Sequence, residues 1–147
     1  MAQRSGLTLI EVMIIVAVLG VITAIALPRF PILSAKTVET EARRIQSDLR
    51  LTRRLAITHG NDYILEISPL SNEYNIYNGS VAPANQVGET RTIKPSITAS
   101  GDSTFTFESL GNAAAGSGTT LTLTSGSDAY DITITIATGR VSIAPAP

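Results

Sequence analysis

Leu7–Leu27 reads LTLIEVMIIVAVLGVITAIAL, an apolar run interrupted by one charge, Glu11. Coiled as a helix it rises roughly 30 Å, the thickness of a bilayer's hydrocarbon core. No second run of comparable length follows in the 147 residues. Ahead of it stands a short leader, Met1-Ala2-Gln3-Arg4-Ser5-Gly6, with positive charge from Arg4 and the amino terminus. That charge predicts a cytoplasmic N-terminus and an outward-facing remainder. Three readings of the run stand side by side. It is a secretory signal with Ala24-Ile25-Ala26 as its cleavage site, a plain transmembrane anchor, or an anchor in which Glu11 has a job.

The third reading follows from the expense of Glu11. A charge at the centre of a membrane helix costs roughly 2.5–3.5 kcal/mol on insertion scales and normally has a partner. A cut between Gly6 and Leu7 places a new α-amino group one helical turn before Glu11. There it can reach that carboxylate or one on a neighbouring chain. Such a buried pair sets the axial register between subunits.

Arg4, Gly6, the segment Thr8-Leu9-Ile10-Glu11-Val12 and the apolar helix after it resemble the type IV pilin and type II secretion pseudopilin superfamily. The resemblance implies cleavage after Gly6 by prepilin peptidase and N-methylation of Leu7, a position usually held by phenylalanine. It implies assembly through Glu11 and Thr8, with other pilin or pseudopilin subunits, an inner-membrane assembly platform and the lipid bilayer as partners. Gly20 and Pro28 fall where filament-forming members carry a helix-weakening pair. Glycine costs about 1 kcal/mol in a helix and proline removes a backbone bond, so 20–27 either unwinds in a filament or is simply kinked at the membrane exit.

Beyond Pro31 the pattern becomes an amphipathic helix, roughly Leu33 to Thr58. Val38, Ala42, Ile45, Leu49, Thr52 and Ala56 fall on one face, with Leu51 and Leu55 on an adjacent line. His59-Gly60 reads as the C-terminal cap, a role that accounts for the single histidine. Arg43, Arg44, Arg50, Arg53 and Arg54, offset by Glu39, Glu41 and Asp48, make a polar face. It is read as a solvated face or as an electrostatic surface for a subunit or nucleic acid; Glu39 and Arg43 attract at i,i+4 while Arg50 and Arg54 repel. The two helical segments together predict a nearly continuous rod of about 75 Å.

From Asn61 onward the residues alternate in short runs, giving about seven strands and no further helix. Tyr63–Ile67 and Glu73–Tyr77 pair around a turn, Asn78-Gly79 turns the chain, and Val81–Gly88 is loop. Glu89–Lys94, Ser103–Glu108, Thr119–Thr124, Ala129–Ile136 and Val141–Ile143 are the later strands, with Gly111–Gly118 a flexible loop. Leu121, Leu123, Ile132, Ile134 and Ile136 are expected to face one way, and the tail 144–147 to be mobile. The fold class is therefore α+β and pilin-like, a long N-terminal helix packed on an antiparallel β-sheet head. The segments are 1–6 leader, 7–28 transmembrane and assembly helix, 29–60 amphipathic helix and 61–147 head.

One long helix followed only by strands resembles the GspH/FimT branch of minor pseudopilins and minor pilins, as do the helix end at 44–58 and Thr138-Gly139-Arg140-Val141-Ser142. In DNA-uptake members the corresponding closing segment contributes to DNA binding. Arg140, with Arg53 and Arg54, is accordingly the candidate nucleic-acid contact, although Ser142 stands where that segment carries its second arginine.

The formal net charge of −1 argues against a strongly basic nucleic-acid binder on overall balance, and the lack of cysteine excludes disulfides and thiolate sites. No nucleophile–base pair, metal motif or phosphate loop occurs, so no enzyme, metal or cofactor is expected. Asp128 and Asp131 beside Ser125-Gly126-Ser127 suit a solvated turn better than a calcium loop. The protein is thus expected to be a fibre subunit of the bacterial inner membrane with a periplasmic head. A DNA-binding minor pilin and a major pilin are the alternatives.

Overall fold

The computed structural model describes residues 8–26 and 30–147, with side chains over 8–23 and 36–147. The chain divides into two compact units, 1–33 and 34–147.

In the first unit, α1 spans Leu9–Ala26. Its start is marked by the Thr8 carbonyl, which accepts the amides of Glu11 and Val12 at 3.1 and 3.3 Å. The side chains from Thr8 to Thr23 are all exposed, so the apolar residues cover the helix on every side, as suits a lipid or a bundle of neighbours. Eighteen residues rise about 27 Å, and among the described residues no helix is long and apolar enough to cross a membrane. The apolar run Leu7–Leu27 begins and ends outside those residues, so the described part is shorter than the run itself.

The second helix, α2, spans Phe30–His59. The expected rod would run through 27–29, which lie outside the described residues. Along α2, the predicted stripe of Val38, Ala42, Ile45, Leu49, Thr52 and Ala56 is fully buried. Thr52 is tolerated there because its hydroxyl donates to the Asp48 carbonyl at 2.8 Å. Gly60 ends the helix in the left-handed region at φ 67°, its amide bonded to Ala56.

Eight strands follow: β1 Tyr63–Ser68, β2 Glu73–Asn78, β3 Arg91–Thr92, β4 Thr98–Gly101, β5 Thr104–Phe107, β6 Thr120–Ser125, β7 Asp128–Thr135 and β8 Arg140–Pro145. They form two four-stranded sheets, ordered β3-β2-β1-β5 and β4-β6-β7-β8, antiparallel throughout. Phe105 and Phe107, Tyr74, Leu65, Leu121, Leu123 and Ile132 fill one core with the α2 stripe. The α+β expectation and the β1–β2 hairpin hold.

Several details differ from the reading of the sequence. β4 is an additional strand, too short and too close to Pro95 to show alternation. β3 keeps only two residues of the predicted six. Ile136 lies just past the end of β7 and is 52% exposed, so it leaves the row that buries Ile132 and Ile134. The loop after Gly111 lies along β5, where Ala113 pairs with Phe107 and the amides of Ala114 and Gly118 bond Thr106 and Thr104, covering that sheet edge. The tail joins the second sheet, since Pro145 pairs with Tyr130 and the Ala146 amide donates to Ala129 at 2.9 Å.

Candidate functional site

Two places carry the site residues expected from the sequence. The first is the start of α1. Gly6 and Leu7, the predicted cleavage and methylation positions, lie outside the described residues, as does Pro28. Glu11 stands in the first turn of α1, exposed, and among the described residues no cation pairs with it. A carboxylate near a helix N-terminus is favoured by the dipole, and this exposed one is open to an amine from outside the helix. Gly20 lies mid-helix with no atom near where a side chain would begin, and Thr23 donates back to the Leu19 and Gly20 carbonyls at 2.8 and 3.0 Å. Such back-bonding loosens the helix at that level.

The second place is the C-terminal half of α2, where it meets β8. A concavity of about 440 Å³ is lined by Ser47, Arg50, Arg53 and Arg54 from the helix and Arg140 from the start of β8, with Gly139 and Val141 beside it. The structure therefore brings Arg53, Arg54 and Arg140 together, as the sequence reading proposed, and adds Arg50 and Ser47. Their spacing was the available signal: Ser47, Arg50 and Arg54 recur at i, i+3 and i+7, one helical face. The turn at Gly139 shapes the wall. It sits at φ 62°, and a Cβ there would collide with the Gly111 carbonyl oxygen. That same carbonyl accepts the Arg53 Nε–H at 2.8 Å, while Arg50 and Gln46 donate to the Val141 carbonyl, each at 3.2 Å.

Arg50, Arg53, Arg54 and Arg140 form no ion pair among the described residues, whereas Arg43, Arg44, Arg91 and Lys94 all do. Four guanidinium groups around one concavity repel one another, and an anion bound there relieves the repulsion through charge-assisted hydrogen bonds.

Elsewhere on the polar face Arg43 and Arg44 are exposed, as the solvated reading expected, but its acids Glu41 and Asp48 are not. Glu41 is 3% and Asp48 8% exposed. Asp48 pairs with Arg91 and accepts the Tyr74 hydroxyl at 2.6 Å; Glu41 pairs with Arg44 at 3.3 Å and with Lys94 at 3.9 Å. Arg44 also donates to the Thr92 carbonyl and lies over the Tyr74 ring. Burial, then the hydrogen bond to Asp48 and its charge, push the Tyr74 hydroxyl's pKa well above its ordinary value. This network ties the short β3 to α2. The exposed pair Glu39–Arg43, at 2.6 Å, behaves as the sequence suggested.

His59 is a cap, bonded through Nδ1 to the Leu55 carbonyl and the Tyr63 hydroxyl and stacked on the Tyr63 ring. Asp131 accepts the Thr122 hydroxyl at 2.6 Å, and among the described residues no group of three His, Asp or Glu side chains is placed to hold a metal.

An apolar N-terminal helix and a second helix on two antiparallel sheets together define a pilin-like structural subunit. Residues 41–139 match the family model described as type II transport protein GspH, and 1–27 match the prokaryotic N-terminal methylation motif. The chain belongs to the GspH family. Among solved structures it is similar to the minor pseudopilin EpsH from the type 2 secretion system of Vibrio cholerae: TM-score 0.60, 13% identity, covering 74% of this chain and 96% of that one. It is similar to the type IV minor pilin FimU of Pseudomonas aeruginosa at TM-score 0.60 and 15% identity, covering 74% and 88%. At these identities the likeness is one of fold. A fimbrial protein of Pseudomonas aeruginosa is 36% identical over 76 residues, 52% of this chain and 49% of that protein, so the chain spans about half the length of the curated relatives it matches. The methylation motif fits a membrane-anchored or fibre-incorporated protein.

Proposed function

We propose that this chain is a minor pseudopilin of a type II secretion system or a minor pilin of a type IV pilus, acting without catalysis. It is cleaved after Gly6 by prepilin peptidase, methylated at Leu7, held in the bacterial inner membrane with its head in the periplasm, and then moved by the assembly platform into a fibre. Glu11 meets a neighbour's amino terminus, with Thr8 beside it. Gly20, with Thr23 bonded at the same level, supplies the soft point of the helix, and Pro28 bounds it. The observation that carries this reading is the methylation motif at 1–27 followed in one chain by the GspH fold.

Intact-mass and N-terminal analysis of the protein from its native membrane, together with sheared fibres, tests it. The expected product starts at Leu7 with one added methyl and is present in fibres in small amount. A chain starting at Leu27 would sink the reading, and abundance in the fibre body would move it to a major pilin. Nucleic acid is a second reading, favoured by the meeting of Arg53, Arg54 and Arg140 in one concavity. Retardation of duplex DNA that weakens steeply with salt is its signature.

A further inference from the structure

The arginine concavity has an apolar rim. Ile57 is 48%, Leu110 87% and Ile136 52% exposed, among the largest apolar surfaces of the head. All three adjoin the 111–113 segment, Ile57 by its side chain and Leu110 and Ile136 by their backbone. A Cβ on Gly111 would lie 2.6 Å from the Ile57 Cδ1, Leu110 precedes it in the chain, and the Ile136 carbonyl accepts the Ala113 amide at 2.9 Å. The same Gly111 carbonyl holds Arg53 and abuts Gly139, so rim and concavity meet at one residue.

From this juxtaposition we infer that the concavity and rim are one docking site for an acidic segment of a neighbouring subunit, carboxylates seated among Arg50, Arg53, Arg54 and Arg140 and an adjacent aliphatic side chain on Ile57, Leu110 and Ile136. The identity of the partner as a subunit rests on the fibre reading above. Two observations favour a peptide over nucleic acid. The arginines that form no ion pair among the described residues surround one concavity in a chain of net charge −1, rather than running along the surface as a phosphate backbone demands. A phosphate backbone also has nothing to place on three exposed aliphatic side chains, whereas an interface buries such a patch.

Arg54 and Arg140 make no side-chain hydrogen bond among the described residues, so the pair is open to substitution without cutting the ties Arg50 and Arg53 make to β8 and Gly111. The test uses the full-length chain in detergent and fluorescence anisotropy with three labelled probes. These are a short peptide of two glutamates flanked by leucines, the same peptide with serines for leucines, and a short DNA duplex.

The wild-type chain is expected to bind the leucine-flanked peptide saturably. The Arg54→Glu/Arg140→Glu variant should bind it about tenfold or more weakly. Loss of apolar contact, by Leu110→Ser or by the serine peptide, should cost about fivefold. Circular dichroism confirms that each variant is folded. No saturable peptide binding by the folded wild type overturns the inference. So does DNA binding that is tighter than the peptide's and indifferent to Leu110→Ser. Fibre content of the wild type is read separately. A chain present in fibres that ignores the peptide defeats only the docking site, and one that binds the peptide but never enters fibres defeats only the fibre reading.

Discussion

The two halves of the polar side of α2 treat charge in opposite ways. Around Glu41 and Asp48, acids buried against the first sheet are matched by Arg44, Arg91, Lys94 and the Tyr74 hydroxyl. One turn further on, Arg50, Arg53, Arg54 and Arg140 surround a concavity without any carboxylate bound to them among the described residues. The first set closes the electrostatic account within the chain and holds β3 in place. The second leaves it open, and an open cluster of like charge at the surface is one an external anion completes. The difference separates charges that build the fold from charges that serve a partner.

The sharpest way to break this contrast is Asp48→Ala. Removing the buried carboxylate leaves the part-exposed Arg91 and the buried Tyr74 hydroxyl without it, with an expected loss of about 3 kcal/mol in urea unfolding. A loss below about 1 kcal/mol would show the network to be ornamental. Gly139→Ala comes next. The left-handed backbone and the collision with the Gly111 carbonyl predict about 2 kcal/mol of destabilisation and a deformed concavity, seen as weakened peptide binding along with the stability loss.

Tyr74→Phe removes one hydrogen bond to a carboxylate, about 1.5 kcal/mol. It also changes the alkaline limb of stability. Because the folded pKa of Tyr74 lies above its ordinary 10.0, the fold favours the neutral phenol. That contribution is complete below pH 10.0 and is lost as pH rises from there through the folded pKa. The phenylalanine variant should lack this part of the alkaline decline, and an unchanged decline would contradict the role given to the buried hydroxyl. Arg54→Glu is the smallest in stability, within about 0.5 kcal/mol, since the exposed side chain makes no hydrogen bond or ion pair among the described residues. A loss comparable to that of Asp48→Ala would erase the distinction between the two clusters.

Much of the scaffold was legible along the chain. The stripe from Val38 to Ala56 announces itself because helical periodicity is a local property, and so does the β1–β2 hairpin with its alternating residues. β4 and the two-residue β3 were obscured because short strands near proline carry too little pattern. Their pairing is set by Leu121 to Thr124 in one case and by Tyr74 with Glu73 in the other. The tail 144–147 looked free because Ala and Pro announce nothing, yet Tyr130 and Ala129 hold it. Within the site, the sequence singles out Arg53, Arg54 and Arg140, whereas it offers Arg50 only as one of five arginines on a polar face and Glu41 and Asp48 only as offsets there.

The sequence by itself determined the apolar helix with Glu11 in its first turn, the buried stripe of α2 and the strand-rich head, since spacing and residue type decide each of these within a few neighbours. Only the tertiary structure decided which charges are spent. Asp48 finds Tyr74 across 26 positions and Arg53 finds the Gly111 carbonyl across 58, and no local pattern encodes such meetings. A carboxylate reads the same in the chain whether it ends in water or beside an arginine. Its fate is set by the desolvation and pairing that only a folded core imposes.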